Sequence, residues 1–314
     1  MILDIDQDIT RMNIIAHGRE LATIMGQDRD EDGRRVYTWP DDRTQHVATL
    51  EAPVLMTDLA KIAALGEHDP TLRDTVAALY ATRTRITRYA GTQVEFTQSK
   101  YPGVWGPSID TILVCRALSN LDLSTVKTSI EVGAGSGFIT KFLLANDPTL
   151  ARATMVDIMP AAIQACQDTI TDPRARYYTG DAKEFLETAR ADLVISNPPY
   201  IPRPRSIDDN PYEGVGLLVE MIQEARDFLT PGGTLLLNYS SLCQDIAQRA
   251  IDDAGLSARV IDELQVPLKV FNVLNNPTWL NYLVEQKGMT RARRAGYDYW
   301  HTVQVVAIEL GGQQ

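Results

Sequence analysis

Cysteine and histidine are scarce in this chain. Its 314 residues include three cysteines, Cys115, Cys166 and Cys243, and four histidines, His17, His46, His68 and His301. The cysteines are odd in number and far apart, which excludes a disulfide framework and a cysteine-based zinc site. The histidines are equally scattered, so no metal is expected. No apolar run approaches the roughly 18 residues that a membrane-spanning helix needs. The opening Met1-Ile2-Leu3-Asp4-Ile5-Asp6 has acid where a secretory leader has basic residues ahead of an apolar stretch. A cytoplasmic protein without a membrane partner is expected. Positive charge is short as well: 30 Lys and Arg stand against 41 Asp and Glu, a net charge of −11. Phosphate backbones are bound through Lys and Arg, so this balance counts against an extended nucleic-acid groove but not against a local basic patch. Internal repeats and low-complexity stretches are lacking too.

What remains is an ordinary globular composition, 44% hydrophobic and 23% charged. The length suits one large domain plus a smaller one. The pattern changes near residue 90. Before it, apolar residues recur at helical spacing over Ile9 to Met25 and from Thr57 to Leu65, closed by Gly66. A third helix is expected through Leu72, Val76, Leu79 and Tyr80 toward Ile86, started by Asp69-Pro70. Gln27 to Gly33 is charged and reads as a loop. The expected division is therefore 1–90, a small helical domain, and 91–314.

From about residue 128, short apolar runs alternate with helical stretches. The strands expected are Ser129–Val132, Thr154–Ile158, Arg176–Tyr178, Leu193–Ser196, Thr234–Tyr239, Arg259–Leu264 and Val303–Leu310. Pro231-Gly232-Gly233 reads as the turn that opens the fifth. Such alternation builds a mostly parallel sheet with helices on both faces. The segment from Pro267 to His301 is too long for a plain connection and is a candidate functional insertion.

Glu131-Val132-Gly133-Ala134-Gly135-Ser136-Gly137-Phe138 follows the first of these strands and opens a helix. Glycine lets backbone approach a ligand, and a helix N-terminus offers unbonded N–H groups. The dinucleotide fingerprint fails, because its third small residue falls on Phe138. The phosphate-binding P-loop fails, because no Gly-Lys-Ser/Thr follows. An acid two residues before the first glycine suits a ligand carrying a cation and no phosphate. S-adenosylmethionine is such a ligand, with its amino acid end over the turn near Glu131. Asp157 at the second strand tip would accept both ribose hydroxyls, and Asp181 at the third would accept the adenine amino group. Gly133, Ala134, Gly135 and Gly137, together with Ile158 and Ala182 beside the two acids, complete the expected cofactor lining.

The fourth strand runs into Asn197-Pro198-Pro199-Tyr200. Two prolines fix the backbone and remove two donors. The Asn197 side chain and the Pro198 carbonyl can both accept hydrogen bonds from one planar NH2 group, on which Tyr200 can stack. Holding both N–H bonds aligns the nitrogen lone pair for in-line attack on a methyl carbon.

Acid-x-Gly-x-Gly-x-Gly, then Val-Asp, Gly-Asp and Asn-Pro-Pro-Tyr, resembles the class I S-adenosylmethionine-dependent N-methyltransferases. It is most similar to the HemK-type family, which methylates glutamine in protein release factors. The motifs cover about Val94 to Leu310, and Pro102 to Thr111 resembles a further segment of that family. The resemblance implies a Rossmann-like, seven-stranded α/β domain behind a small helical one. It implies that Asn197, Pro198, Pro199 and Tyr200 act on the substrate amide. Glu131, Gly133, Asp157 and Asp181, with Thr111 against the methionine end, would hold the cofactor. The expected partner is then a protein, a release factor among the candidates. Three other readings stay open: an exocyclic amine of a nucleobase, a small metabolite, and a cofactor-binding module without catalysis. Basic and aromatic residues within the insertion, among them Trp279, Lys287 and Arg291, bear on the first of those three.

Overall fold

The computed structural model describes residues 27–29, 35–37, 84–97, 100–101, 103–204, 214–268, 273, 277–294 and 297–310. Its first strands are β1 (Gln27–Arg29), β2 (Arg35–Tyr37), β3 (Thr84–Tyr89) and β4 (Thr92–Thr97), hydrogen-bonded in that order. Two expectations change here. Gln27 to Arg29 is a strand paired with β2 and not a loop, and the helix running toward Ile86 has given way to β3 by Thr84. Thr84 to Thr97 is rich in β-branched and aromatic residues at period two, and on β4 Thr92, Val94 and Phe96 are buried in alternation. The remainder of the three expected N-terminal helices lies outside the described residues. Ala90 and Gly91 form the β3–β4 turn, and Tyr89 packs its ring 5.4 Å from Phe142 in the same core cluster.

The chain then alternates helix and strand: α1 (Ile109–Leu118), β5 (Thr128–Val132), α2 (Phe138–Asn146), β6 (Arg152–Asp157), α3 (Pro160–Thr169), β7 (Ala175–Thr179), α4 (Ala182–Leu186), β8 (Ala191–Ser196), α5 (Gly216–Gln223), α6 (Ala225–Phe228), β9 (Leu229–Ser240), α7 (Gln244–Asp253), β10 (Ser257–Pro267), α8 (Pro277–Gln286), β11 (Thr290–Arg294) and β12 (Tyr297–Glu309). The main sheet runs β10-β12-β9-β8-β5-β6-β7, with β11 on β12. Only β12 opposes its neighbours in that row; β5 to β9 are parallel. All seven strands expected from the sequence are present. Pro231 to Gly233 is not a turn ahead of β9 but lies inside it, where the register slips between Ala191↔Leu229 and Leu193↔Thr234.

Near-continuous apolar runs make sense in a sheet covered on both faces. Leu193, Ile195, Leu236, Val303 and Val305 pack with α1, α2 and α3 on one face. Val194, Leu235, Leu237, Val306 and Ile308 pack with α5 and α7 on the other. Strand order reverses at β5, whose neighbours are β6 and β8. Open α/β sheets bind ligands outside the carboxyl ends of their strands at such a switch point. Asp192 secures the opposite end of the sheet, accepting from the backbone N–H groups of Lys127 and Thr128, both at 2.9 Å.

Candidate active site

The glycine turn and the Asn-Pro-Pro-Tyr segment lie at the carboxyl ends of β5 and β8, the two strands flanking the switch point. Ser196 Oγ donates to Val132 O at 2.8 Å and ties the two tips together. The turn is latched to β6 as well: Gly133 N donates to Val156 O at 2.8 Å. Gly133 has φ +69°, and a Cβ placed there would enter open space. The turn thus leaves an open cradle of backbone at the strand tip. At Gly135 a Cβ would stand 3.0 Å from the Trp105 carbonyl, so Trp105 lies close against the turn.

Asp157 joins the turn to the second and third strand tips. Its Oδ2 accepts from Gly135 N at 3.0 Å and its Oδ1 from Met159 N at 2.9 Å, while Gly180 N donates to its backbone carbonyl at 3.0 Å. Burial pushes its carboxyl up, and the two N–H donors pull it back. Ile158 beside it is 56% exposed, an unusual setting for a large aliphatic side chain. Asp181 is exposed and caps α4 by accepting from Lys183 N at 2.8 Å. Ala182 follows it, partly buried beside Phe185. Glu131 is buried under the turn and accepts from both the N–H and the hydroxyl of Thr140. Burial pushes its carboxyl up to about 7. The Thr111 hydroxyl accepts from Ser108 N at 3.2 Å, within the capping box of α1.

Asn197 is half-buried at the end of β8. Its Nδ2 donates to Asp110 Oδ2 at 3.1 Å, and its Oδ1 accepts from Asn238 Nδ2 at 2.7 Å. The Tyr200 hydroxyl donates to the same Asp110 Oδ2 at 3.1 Å, and Ser108 Oγ donates to Oδ1. Burial pushes the Tyr200 phenol well above its ordinary value, and the neighbouring Asp110 adds to the shift. The Tyr200 ring lies 6.1 Å from that of His301, whose Nδ1 is 2.8 Å from Ser240 Oγ.

Asp110, Asn238 and His301 are the members of this cluster that the sequence reading missed. An acid in the first turn of a helix reads as a dipole partner, which hides Asp110. Asn238 had left a signal: it is the one amide in the run Leu235-Leu236-Leu237-Asn238-Tyr239. The pairing Ser196↔Leu237 puts it directly beside Asn197.

Helix α8, within the expected 267–301 insertion, sits against the exit of the clamp. Trp279 Nε1 donates to Pro202 O at 2.7 Å, and the Arg203 guanidinium lies 4.8 Å over the Trp279 ring. Trp279, Leu280, Leu283 and Met289 bury Ile201. Lys287, part of the basic run, is paired with Asp245 at 3.0 Å. Residues 205–213, which follow the clamp, lie outside the described residues. Among the described residues no group of His, Cys, Asp and Glu is arranged to hold a metal.

Residues 110–251 match the family described as methyltransferase small domain. This part of the chain is also similar to several curated proteins. One is the 4-amino-L-phenylalanine/4-methylamino-L-phenylalanine methyltransferase of Streptomyces pristinaespiralis, 31% identical over 45% of this chain and 55% of that protein. Another is the release factor glutamine methyltransferase of Moorella thermoacetica, 31% identical over 45% of this chain and 56% of that protein. A third is the tRNA1(Val) (adenine(37)-N6)-methyltransferase of Pectobacterium carotovorum, 35% identical over 26% of this chain and 35% of that protein. The chain spans about half the length of the first two relatives or less of the third. The site at the β5 and β8 tips fits S-adenosylmethionine. It has an open cradle at Gly133, a buried acid at Asp157 and an exposed aliphatic side chain at Ile158 for a planar base. It also offers no Lys or Arg in the glycine turn for a phosphate.

Proposed function

We propose that this protein is an S-adenosylmethionine-dependent N-methyltransferase whose acceptor is a planar NH2 nitrogen, with a protein glutamine side-chain amide as the leading substrate. The reading rests above all on Asn197, whose amide is held from both sides at the switch point. The bound cofactor would supply an electrophilic methyl group on a sulfonium. Asp157 would accept the ribose hydroxyls, Asp181 the adenine amine, and Ile158 would cover one face of the base. Glu131 and the Gly133–Gly137 turn would shape the amino acid end, with Thr111 behind it. Asn197 Oδ1 and the Pro198 carbonyl would accept the two N–H bonds of the acceptor. Pro199 would keep the backbone rigid, and the Tyr200 ring would lie on the planar group. Positioning and electrostatic alignment then lower the barrier.

The glutamine substrate and a release factor as partner are supported by the release factor glutamine methyltransferases among the relatives. Residues 1–90 would form a separate domain ahead of the methyltransferase domain at 91–314. A second reading, the aromatic amine of a small amino acid, is favoured by the Streptomyces relative and by the way α8 closes on the clamp exit. A nucleobase amine has a relative in its support, but the net charge of −11 and the pairing of Lys287 with Asp245 oppose it.

The test is methyl transfer from labelled cofactor to three acceptors: a release factor, 4-amino-L-phenylalanine and bulk tRNA. Label in the protein, released as N-methylglutamine on proteolysis, supports the leading reading. Label only in the amino acid replaces it with the second. Label only in tRNA, or in none of the three, overturns both.

A further inference from the structure

Asp110 and Asn238 hold one asparagine side chain between them, and their chemistries are unequal. The Asp110 carboxylate, 6% exposed, is a hydrogen-bond acceptor only. It therefore selects the NH2 edge of Asn197, which lies 3.1 Å from its Oδ2. The oxygen edge of Asn197 must then face Asn238, and it takes the Asn238 NH2 at 2.7 Å. The chain ends at Asn238 Oδ1, which is buried and has no hydrogen-bond partner among the described residues. Reversing the chain would satisfy that oxygen but leave the Asn238 NH2 without a partner in its place, and it would press the Asn197 carbonyl against a carboxylate. A buried acceptor without a partner costs about 1–3 kcal/mol. Either direction leaves one end of the Asn238 amide without a partner, so the Asp110 carboxylate is what decides between them.

From this we infer that Asp110 and Asn238 are positioning residues that fix the polarity of Asn197, so that the site meets its acceptor with amide oxygen and never with amide NH2. An amide oxygen has two lone pairs, one used by Asn238 and one left for an incoming N–H. With the rigid Pro198 carbonyl beside it, such a site takes a group that donates twice and rejects one that accepts. Tyr200 shares the same carboxylate oxygen, so one residue sets both the amide and the aromatic ring. The inference deepens the N-methyltransferase reading and rests on it, but the orientation of Asn197 can be observed without any turnover.

The test uses the full-length chain and the variants Asp110→Asn, Asp110→Glu and Asn238→Ala. Side-chain 15N–1H resonances of Asn197 report the hydrogen bonding of its NH2. They are expected to move in Asp110→Asn, where either edge can face residue 110, and to return toward wild type in Asp110→Glu. Unmoved Asn197 resonances in Asp110→Asn overturn the inference, whatever the activity. With a glutamine-containing peptide and 4-amino-L-phenylalanine as probes, Asp110→Asn is expected to lower kcat at least about tenfold, with cofactor Kd within about twofold of wild type. Combining it with Asn197→Ala is expected to add little to the loss from Asn197→Ala alone. Multiplying losses overturn the inference. Should Asp110→Asn fail to fold, Asn238→Ala carries the same resonance test. A wild type that methylates neither probe, yet shows the resonance shift, removes support for the function and leaves the positioning role standing.

Discussion

The Asn197 amide nitrogen stands 3.1 Å from Asp110 Oδ2, although 87 residues separate the two in the chain. One comes from the end of β8 and the other from the first turn of α1. Their meeting turns a rigid Asn-Pro-Pro-Tyr segment into an oriented one, and the predictions below follow from it and from the turn it faces.

Asn197→Ala removes an acceptor for the substrate nitrogen and leaves the glycine turn alone. Methyl transfer is expected to fall at least about tenfold, on the order of 1.4 kcal/mol in the barrier, with little change in cofactor affinity. Steady-state kinetics beside calorimetry of cofactor binding checks both halves. Unchanged turnover would remove Asn197 from the clamp.

Asp157→Ala is expected to act on the cofactor. The Asp157 carboxylate bridges Gly135 N and Met159 N, so its loss loosens the turn as well as removing the ribose acceptor. Hydrogen bonds to a charged group are worth about 1.5–3 kcal/mol, or roughly ten- to hundredfold in Kd. An unaltered dissociation constant by calorimetry would refute the assignment.

Gly133→Ala and Gly135→Ala should part company. Both introduce a side chain at positive φ, +69° and +51°, which costs roughly 1–2 kcal/mol. At Gly135 the new methyl also meets the Trp105 carbonyl at 3.0 Å, so denaturation should show the larger stability loss there. At Gly133 it enters the open cradle, so cofactor binding should suffer more than its stability loss implies. Equal effects of both variants on both measurements would deny the cradle.

The stability of the fold should depend on Glu131 between its ordinary value of 4.5 and its buried value of about 7. A carboxyl raised by folding binds its proton more tightly in the native state, so its contribution is full below 4.5 and is lost as pH rises through about 7. Glu131→Gln abolishes this proton linkage. Urea midpoints across pH 4 to 8 should show the variant gaining on wild type as pH rises, and a constant difference would show the carboxyl to be unshifted.

Trp279→Phe keeps an aromatic ring, though a smaller one, and deletes the 2.7 Å hydrogen bond to the Pro202 carbonyl. A loss of about 1 kcal/mol is expected for the bond. Because that carbonyl lies just past the clamp, KM for the acceptor should rise while cofactor Kd holds. A variant with wild-type KM would separate the insertion from the substrate.

The seven strands, the glycine turn and the Asn-Pro-Pro-Tyr segment were legible in the sequence because each is a local matter. Apolar runs between turn residues follow from burying both faces of a sheet, glycine from positive φ, and paired prolines from a fixed backbone. The strand at Gln27 to Arg29 was not legible, since its charged residues give no period and only pairing with Arg35 to Tyr37 makes it a strand. The direction of Asn197 was equally hidden. An asparagine presents oxygen or NH2 according to its neighbours, and these are Asp110 from α1 and Asn238 from β9. Sequence spacing brings neither to it. The order of strands in the sheet does, and the carboxylate of Asp110 then decides which way the amide faces.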